Sequence, residues 1–344
     1  MRRETGVDTL AITFQPPKGT RMSTSTSVLL PPRPDWWSLW LRSPQLGLLA
    51  ATLFWAGNFV VGRALRGDAE PLALNFWRWC VAGVVLSAIF LPALRNQWPI
   101  LRRHLGLVAA LGLAGIAVPH TCVYLALQGT SALNALLLLN LVPVLVTLGA
   151  WRLFRQPIRG RQWCGMAVCL AGAAALLVRL DPAVLRHLRF AGGDLWMLPA
   201  IAGAAVHTLL LKKTPAGVTQ GPLLLASIVA GVLVMAPALA WTGNAGLSML
   251  RAHWASIGYI GIVASAAAFL LWNRAIAEVG PHRAAPFMYL MPVHGALLSI
   301  VWLGETPQAY QLVGAVVVLA GLWLARPDRP ATPAAGDSAP RSAA

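Results

Sequence analysis

The chain contains an internal repeat with an offset of 149 residues, and the best-matching segments of its two copies align without a gap. Identical residues occupy equivalent positions, among them Leu141 and Leu290, Pro143 and Pro292, Gly165 and Gly314, and Gly172 and Gly321. Both copies consist of long hydrophobic runs. Duplicated hydrophobic units are common in secondary transporters, which hold their substrate between the copies near the bilayer midplane. We therefore expect the functional site at that interface.

The composition indicates that this is a membrane protein. Hydrophobic residues make up 57% of the chain and charged residues 11%, whereas about 25% of the residues in an ordinary soluble domain are charged. The net charge of +16 comes from basic residues between the apolar runs, and no basic face with interleaved aromatic residues remains to bind nucleic acid. The expected partners are the lipid bilayer and a small-molecule substrate, and the expected assembly is a monomer or a homodimer.

The sequence predicts neither a cofactor nor a metal site. Four cysteines lie inside apolar runs without a CxxC pair, and they are expected to be small buried hydrophobic residues: Cys80, Cys122, Cys164 and Cys169. The chain also has no GxxxxGK[ST] loop, which argues against ATP-driven transport by this polypeptide alone.

Ten segments are apolar and about as long as a membrane-spanning helix, which needs about 20 residues. They are predicted at 46–65, 72–94, 105–127, 131–151, 162–179, 194–211, 220–241, 254–274, 284–303 and 308–325. The fold class is therefore an all-α integral membrane protein with ten transmembrane helices. Five helices belong to a first repeat at 46–179 and five to a second at 194–325. The tails at 1–44 and 327–344 are expected to be largely disordered.

The distribution of charge predicts that the second repeat is inverted relative to the first. Because five is an odd number, the second repeat enters the membrane from the opposite side. Lys and Arg accumulate on cytoplasmic loops, and 20 of the 27 lie inside when the N-terminus is cytoplasmic. Arg78 lies within a span, and six lie outside: Arg63, Arg66, Arg179, Arg186, Arg189 and Arg251. We expect a multi-pass protein of the cytoplasmic (inner) membrane with both termini in the cytoplasm.

Several short motifs resemble the EamA-type transporters of the drug/metabolite transporter superfamily. They are Trp55-Ala56-Gly57-Asn58-Phe59, Arg78, Trp272-Asn273-Arg274, Leu290-Met291-Pro292, Leu303-Gly304-Glu305 and Gln311-Leu312-Val313-Gly314. The resemblance covers residues 46–325 and implies ten helices in two inverted five-helix repeats. It also implies a carrier, not an enzyme, that exports small organic metabolites such as amino acids or related compounds by alternating access.

One position departs from the family pattern. Glu305 matches the carboxylate at the end of the ninth helix, but its equivalent in the first repeat is Gln156. A symmetric role for two helix-end carboxylates is therefore not expected. Glu305 has either a functional role as a helix-end carboxylate or a structural role as a helix-terminal cap or tether.

The predicted spans carry histidines at depth, whereas Asp and Glu lie only at their ends or in loops. His120, His207 and His294 could therefore take the place of a buried carboxylate in proton coupling, since imidazole titrates near physiological pH. His207 is the repeat equivalent of Asn58, and in an inverted repeat both positions approach the central cavity. We predict that these two residues form a polar pair across the pathway. Separate hydrogen bonds to neighbouring helices are the alternative.

Further residues complete the predicted substrate pathway. Polar and amphipathic groups at depth are expected to face protein or a water-filled cavity because exposing them to lipid is costly. They are Trp55, Asn75, Tyr124, Asn140, Trp272, Asn273 and Tyr289. Aromatic and amide walls suit an organic metabolite better than an inorganic ion. Arg78 either pairs with an anionic substrate group or extends to the membrane interface.

Two sets of repeat-related residues are predicted to shape the helices. Pro143 and Pro292 are expected to kink the fourth and ninth helices at matching depths, either as a gating device or as part of static packing. Four glycines are expected to allow the fifth and tenth helices to approach closely: Gly165, Gly172, Gly314 and Gly321.

Three other functions remain open at this point. One is an importer or antiporter with the same fold. Another is an intramembrane enzyme, although the chain offers no GxSxG context and no buried carboxylate to orient a histidine. The third is a scaffold or channel subunit that does not transport.

Overall fold

The computed structural model describes residues 43–65, 67–130, 132–155, 157–186, 192–242, 246–303, 306 and 308–325. Most of these residues are helical. The expectations for the two terminal tails and for Gln156 and Glu305 lie outside the described residues.

The first repeat contains five long helical segments. They are α1 (Pro44–Ala64), α2 (Pro71–Leu101), α3 (Leu105–Leu111, Gly112–Ala117 and Val118–Gly129 in succession), α4 (Ala132–Leu139 and Val142–Phe154) and α5 (Gly160–Leu177). A 3₁₀ turn at Arg102–His104 joins α2 to α3, and a short helix at Pro182–Arg186 follows α5.

The second repeat has the same order of segments. They are α6 (Asp194–Leu210), α7 (Gln220–Trp241), α8 (Trp254–Tyr259, Ile260–Ala267 and Ala268–Val279), α9 (Pro281–Ala284, Ala285–Tyr289 and Leu290–Leu303) and α10 (Ala309–Leu324). A 3₁₀ turn at Leu211–Lys213 follows α6, and a short helix at Leu247–Ala252 precedes α8.

These helices overlap the ten predicted spans. Six stretches of the described chain are long and apolar enough to cross a membrane: Pro44–Gly62, Pro71–Gly129, Ala135–Phe154, Asp194–Lys213, Gln220–Trp241 and Trp254–Val279. The second stretch has 59 residues, which suffices for two crossings of about 20 residues each. The shorter segment α10 is also apolar. The part of the chain that the structure describes is therefore all-helical, with several membrane-spanning segments.

Equivalent glutamines begin the last helix of each repeat. The Gln162 side chain accepts a hydrogen bond from the backbone N–H of Arg159 at 3.1 Å, and the Gln311 side chain accepts one from Gln308 at 2.9 Å. Each bond satisfies a backbone N–H at the start of the helix that has no intrahelical partner. This capping role explains why both repeats have glutamine at this position.

Two π-helical segments occupy equivalent positions in the repeats. Gly112–Ala117 in α3 falls on residues 261–266, which lie within Ile260–Ala267 of α8. The first packs against α7 and the second against α2. π-Helical turns are rare in proteins, and many of those known lie at functional sites. A glycine near the start of each segment allows the neighbouring helix to pack closely against it. A Cβ atom at Gly112 would lie 2.7 Å from the Ser227 carbonyl oxygen, and one at Gly261 would lie 2.9 Å from that of Arg78.

Side chains from the first two helices bind the backbone of both π-helical segments. Asn75 donates to the carbonyl oxygens of Ile116 at 3.1 Å and Ala117 at 3.2 Å. The indole N–H of Trp55 donates to the Ala264 carbonyl oxygen at 3.0 Å. These bonds satisfy buried polar groups at places where the regular helical pattern is interrupted.

The repeats interlock through their first helices. α1 packs against α8 and α9 of the second repeat, and its equivalent α6 packs against α3 and α4 of the first. The equivalent helices α2 and α7 pack against each other. Any cavity enclosed by α1 and α6 is consequently built from both repeats.

The glycine prediction for α5 and α10 is confirmed. A Cβ atom at Gly165 would lie 2.7 Å from the Gly321 carbonyl oxygen, and one at Gly314 would lie 3.2 Å from that of Gly172. Contacts nearer the C-terminus of α5 thus involve residues nearer the N-terminus of α10, so the two helices are antiparallel. Between the two glycine contacts, the Cys169 thiol lies 3.5 Å from the carbonyl oxygen of Val318, its own repeat equivalent.

Candidate functional site

A cavity of about 100 Å³ lies at the junction of the two repeats. Its walls come from α1, α3 and α4 of the first repeat and from the equivalent helices α6, α8 and α9 of the second. The lining residues are Trp55, Asn58, Gly115, Pro119, His120, Val123, Tyr124, Leu139, Val142, Ala200, Ala204, His207, Thr208, Phe269, Trp272, Met288 and Met291. The volume accommodates several water molecules or a small organic group.

Asn58 and His207 both lie on the cavity wall, on α1 and α6 respectively. Within the described part of the chain, the Asn58 side-chain oxygen and both ring nitrogens of His207 lack a hydrogen-bond partner of normal geometry. The His207 ring fills the space beside Gly115, where a Cβ atom would lie 2.0 Å from Nδ1. Buried polar groups are rarely left unpaired. The Asn58 oxygen is therefore available to a bound molecule, whereas the His207 ring lies beside the Asn273 side chain and the Leu111 backbone.

Aromatic rings form a second part of the wall and centre on Phe269. Its ring centroid lies 5.0 Å from that of Trp79, 5.4 Å from Trp55, 5.7 Å from His120 and 5.8 Å from His207. Such distances are typical of favourable edge-on aromatic contacts. Phe269 was not among the predicted site residues, although the 149-residue offset places it opposite His120.

Trp272, another of the predicted pathway residues, also belongs to this wall. Its ring lies 5.0 Å from that of Trp55, and both side chains border the cavity. Six of the predicted pathway residues thus surround the cavity: Trp55, Asn58, His120, Tyr124, His207 and Trp272.

Arg78 is fully buried beside the cavity. Its Nε donates to the Ser265 hydroxyl at 2.8 Å, and its Nη1 donates to the Tyr124 hydroxyl at 2.9 Å. The guanidinium also lies 5.4 Å from the centre of the Trp79 ring. The alternative in which Arg78 extends to the membrane interface is therefore wrong, because its hydrogen bonds hold the side chain inside the helix bundle.

Besides Arg78, five predicted pathway residues do not belong to the cavity wall. Asn75 is fully buried and binds the π-helical carbonyls and the Thr121 hydroxyl. In the described chain the other four each have a buried polar atom without a hydrogen-bond partner: Asn140, Asn273, Tyr289 and His294. The structure therefore brings only part of the predicted set together at one site.

The two predicted hinge prolines follow breaks in their helices. Pro143 lies in the first turn of Val142–Phe154, directly after the turn that interrupts α4. Pro292 lies in the first turn of Leu290–Leu303, after the 3₁₀ segment of α9. Proline is tolerated at these positions because the first N–H groups of a helix have no intrahelical partner. The interruptions of the two helices thus precede the prolines.

Among the described residues, the cavity wall contains no Asp, Glu, Lys or Arg. The described acidic residues lie at helix ends or in connections: Asp68, Glu70, Asp181, Asp194 and Glu278. The described chain also contains no group of three or more His, Cys, Asp or Glu side chains arranged to hold a metal ion. The site is thus suited to hold an organic molecule by ring contacts and a few hydrogen bonds.

The cysteines are free thiols, but their burial differs from the prediction at one position. Cys122 and Cys169 are buried and Cys80 is half-buried, whereas Cys164 on α5 is exposed at the outer surface of the helix bundle. The prediction of a buried residue is wrong for Cys164 because its face of α5 is turned away from α10.

The architecture of two repeats around a cavity is accompanied by a match of both repeats to one known protein family. The model of the EamA-like transporter family matches residues 42–178 and again residues 191–326. The chain belongs to the EamA-like transporter family. The matched segments contain all the helices that line the cavity.

Relatives of this EamA-like transporter cover most of its length. A "probable terminal-alkyne amino-acid exporter" of Streptantibioticus cattleyicolor is 27% identical over 80% of this chain and 91% of its own. A "probable biotin transporter" of Pseudomonas aeruginosa is 27% identical over 81% of this chain and 96% of its own. An "uncharacterized transporter" of Archaeoglobus fulgidus is 26% identical over 80% of this chain and 95% of its own.

A solved crystal structure has the same fold. It superposes with a TM-score of 0.63 at 20% sequence identity and covers 82% of this chain and 96% of its own. Family, relatives and apolar helices together identify this EamA-like protein as a multi-pass membrane transporter of small molecules, and not as an enzyme.

Proposed function

We propose that this EamA-like transporter is a secondary carrier that exports small organic metabolites across the cytoplasmic membrane by alternating access. The observation that carries the proposal is the cavity between the repeats, which is lined by equivalent helices from both. A site at such a junction can be opened to either side when the repeats move against each other. In this proposal the rings of Trp55 and Trp272 contact the organic part of the substrate, and Asn58 and His207 bind its polar groups.

The proposed membrane topology has ten crossings in two inverted repeats, with both termini in the cytoplasm. The antiparallel contact between α5 and α10 supports it, because equivalent helices run antiparallel when a twofold axis lies in the membrane plane. The contacts are also reciprocal: Gly165 meets Gly321, and their equivalents Gly314 and Gly172 meet each other. Reciprocity of this kind is the mark of a twofold relation.

Alternating access requires helices that can bend near the cavity. The breaks before Pro143 and Pro292 occur at equivalent positions in α4 and α9, and both helices contribute to the cavity wall. We assign the gating movement to these breaks. His120 and His207 are the titratable wall residues through which a proton could be coupled to transport.

Counterflow in liposomes tests this proposal. Purified protein is reconstituted into liposomes loaded with an unlabelled pool of amino acids and related small metabolites, and entry of labelled members is measured. We expect saturable entry of at least one compound that depends on the internal pool. Conductance without saturation would identify a channel, and the absence of counterflow for every compound would contradict a carrier of such metabolites.

Direction needs a separate measurement. Cells that overproduce the protein should tolerate a toxic metabolite analogue better than cells without it if the carrier exports. Greater sensitivity would instead identify an importer with the same fold.

A further inference from the structure

Arg78 carries a positive charge that has no negative counterpart in the described structure. The side chain is fully buried, and its hydrogen bonds go to the neutral hydroxyls of Ser265 and Tyr124. Its Nη2 atom has no partner among the described residues. A charge taken out of water is costly unless it is paired, and guanidinium groups remain protonated in proteins.

The charge lies one hydrogen bond away from the cavity. Tyr124, which accepts the bond from Nη1, is itself a cavity wall residue. The guanidinium lies over the Trp79 ring, which in turn contacts the wall residue His120 at 5.7 Å. In an apolar interior the field of an unpaired charge extends over such distances with little screening.

The repeat shows that the charge is not a general requirement of this helix position. The equivalent of Arg78 on α7 is Ser227, whose hydroxyl bonds the carbonyl oxygen of Leu223 in its own helix at 2.8 Å. Both residues lie where their helix meets a π-helical segment, and their carbonyl oxygens face Gly261 and Gly112 in the same manner. Serine at this position therefore suffices for the packing of α7 against α3. The equivalent packing of α2 against α8 does not require the charge of Arg78.

From these contacts we infer that Arg78 forms an anion-binding subsite of the cavity, and that the substrates are small organic molecules with a carboxylate group. The carboxylate accepts from the free Nη2 and from the Tyr124 hydroxyl, and the organic part occupies the aromatic cavity. Bidentate geometry makes arginine well suited to carboxylates. This inference rests on the proposed transport function and names the chemical class that the site selects.

Matched acids and amides test the inference on the full-length protein in detergent. The probes are benzoate with benzamide, 3-phenylpropionate with 3-phenylpropionamide, hexanoate with hexanamide, and phenylalanine with phenylalaninamide. Binding is measured from the shift of the melting temperature over a concentration series. We expect at least one acid to bind roughly tenfold or more tightly than its amide, as for a hydrogen bond to a charged group. No preference for the acid in any pair would overturn the inference.

Variants assign the preference to Arg78. Arg78→Gln should remove the difference between acid and amide, and Arg78→Lys, which keeps the charge, should retain part of it. Should Arg78→Gln fail to fold, Arg78→Met removes the charge without adding a polar group to the interior. Arg274→Gln is the matched control, because Arg274 is exposed and paired with Glu278 on α8. An acid preference that persists without a charge at position 78 would refute the assignment.

The carboxylate subsite and the carrier function are tested by different results, so one can fail without the other. Counterflow of neutral amides with no preference for acids would leave the carrier function intact and contradict the carboxylate subsite. Acid binding that depends on Arg78, with no counterflow of any compound, would support the subsite and contradict the carrier.

Discussion

Asn58 and His207 are the polar residues that the first helix of each repeat presents to the cavity. We predict that Asn58→Leu and His207→Leu each reduce counterflow about tenfold or more, because a bulky apolar side chain fills the cavity and removes hydrogen-bonding groups. The measurement is initial counterflow rate per folded protein. Ala202→Leu on the exposed face of α6 is the control for added bulk. Normal kinetics in both cavity variants would rule out the polar pair.

His282, in the short helix Pro281–Ala284 that begins α9, links stability to pH. Burial, together with the charges of Arg283 and Lys212, lowers the pKa of His282 to about 4. The folded protein thus favours the neutral ring, whereas the unfolded chain takes up a proton near the usual pKa of about 6.5. The contribution of His282 to stability is complete above pH 6.5 and is lost progressively as the pH falls towards 4.

The variant His282→Gln isolates this effect. Its melting temperature should decrease less than that of the wild type between pH 7.5 and pH 5, and the difference between the two proteins is the measured quantity. An equal decrease in both would show that His282 does not contribute.

Some residues of the site could be predicted from the sequence and others could not. Polarity at depth identified Asn58, His120 and His207, because such groups are costly in lipid wherever they occur. The same criterion also selected Asn75, whose amide binds the backbone of α3 instead of facing the cavity. Phe269 was missed because an apolar ring in an apolar helix has no distinctive pattern. Only the three-dimensional contacts separate these cases.

At the scale of single helices, the glycines of α5 and α10 allow a quantitative prediction. Gly165→Ala should lower the melting temperature by several degrees, a loss of about 1–3 kcal/mol, because its Cβ atom would lie 2.5 Å from the Ala325 nitrogen. Gly160→Ala at the start of the same helix is the control, since no atom lies within 4 Å of its Cβ position. Equal melting temperatures for the two variants would contradict close packing at Gly165.

The helices themselves were predicted well, but their irregular segments were not. Long apolar runs indicate where a helix lies because the membrane leaves few other ways to satisfy the backbone. The π-helical segments at Gly112–Ala117 and Ile260–Ala267 depend on contacts with α7 and α2, which are distant in sequence. Likewise, the prediction of kinks at Pro143 and Pro292 did not include the breaks in α4 and α9 that come before these prolines.

At the scale of the whole molecule, labelling of single cysteines tests the proposed inversion. Pro157→Cys and Thr306→Cys, each in a protein whose four native cysteines are replaced, occupy equivalent and exposed positions. Position 157 should react with an impermeant maleimide only from the cytoplasm, and position 306 only from outside. Reaction of both positions from the same side would refute the inverted topology.

The repeat is the feature from which most of the architecture could be predicted. The 149-residue offset indicated two homologous bundles and a site between them, and the cavity does lie between helices of both. What the offset could not provide was the interlocking of α1 with α8 and α9, because pairing between repeats depends on surface shape and not on periodicity.

Two contacts within the described residues join a residue to its own repeat equivalent. The rings of His120 and Phe269 lie 5.7 Å apart, and the Cys169 thiol lies 3.5 Å from the Val318 carbonyl oxygen. In the proposed inverted arrangement, a chain with identical repeats would have inward-open and outward-open states of equal free energy, since symmetry would exchange them. An imidazole that faces a phenyl ring removes this equality. Every other difference between equivalent positions has the same effect, so we expect substitutions at His120 or Phe269 to shift the side on which the empty carrier rests.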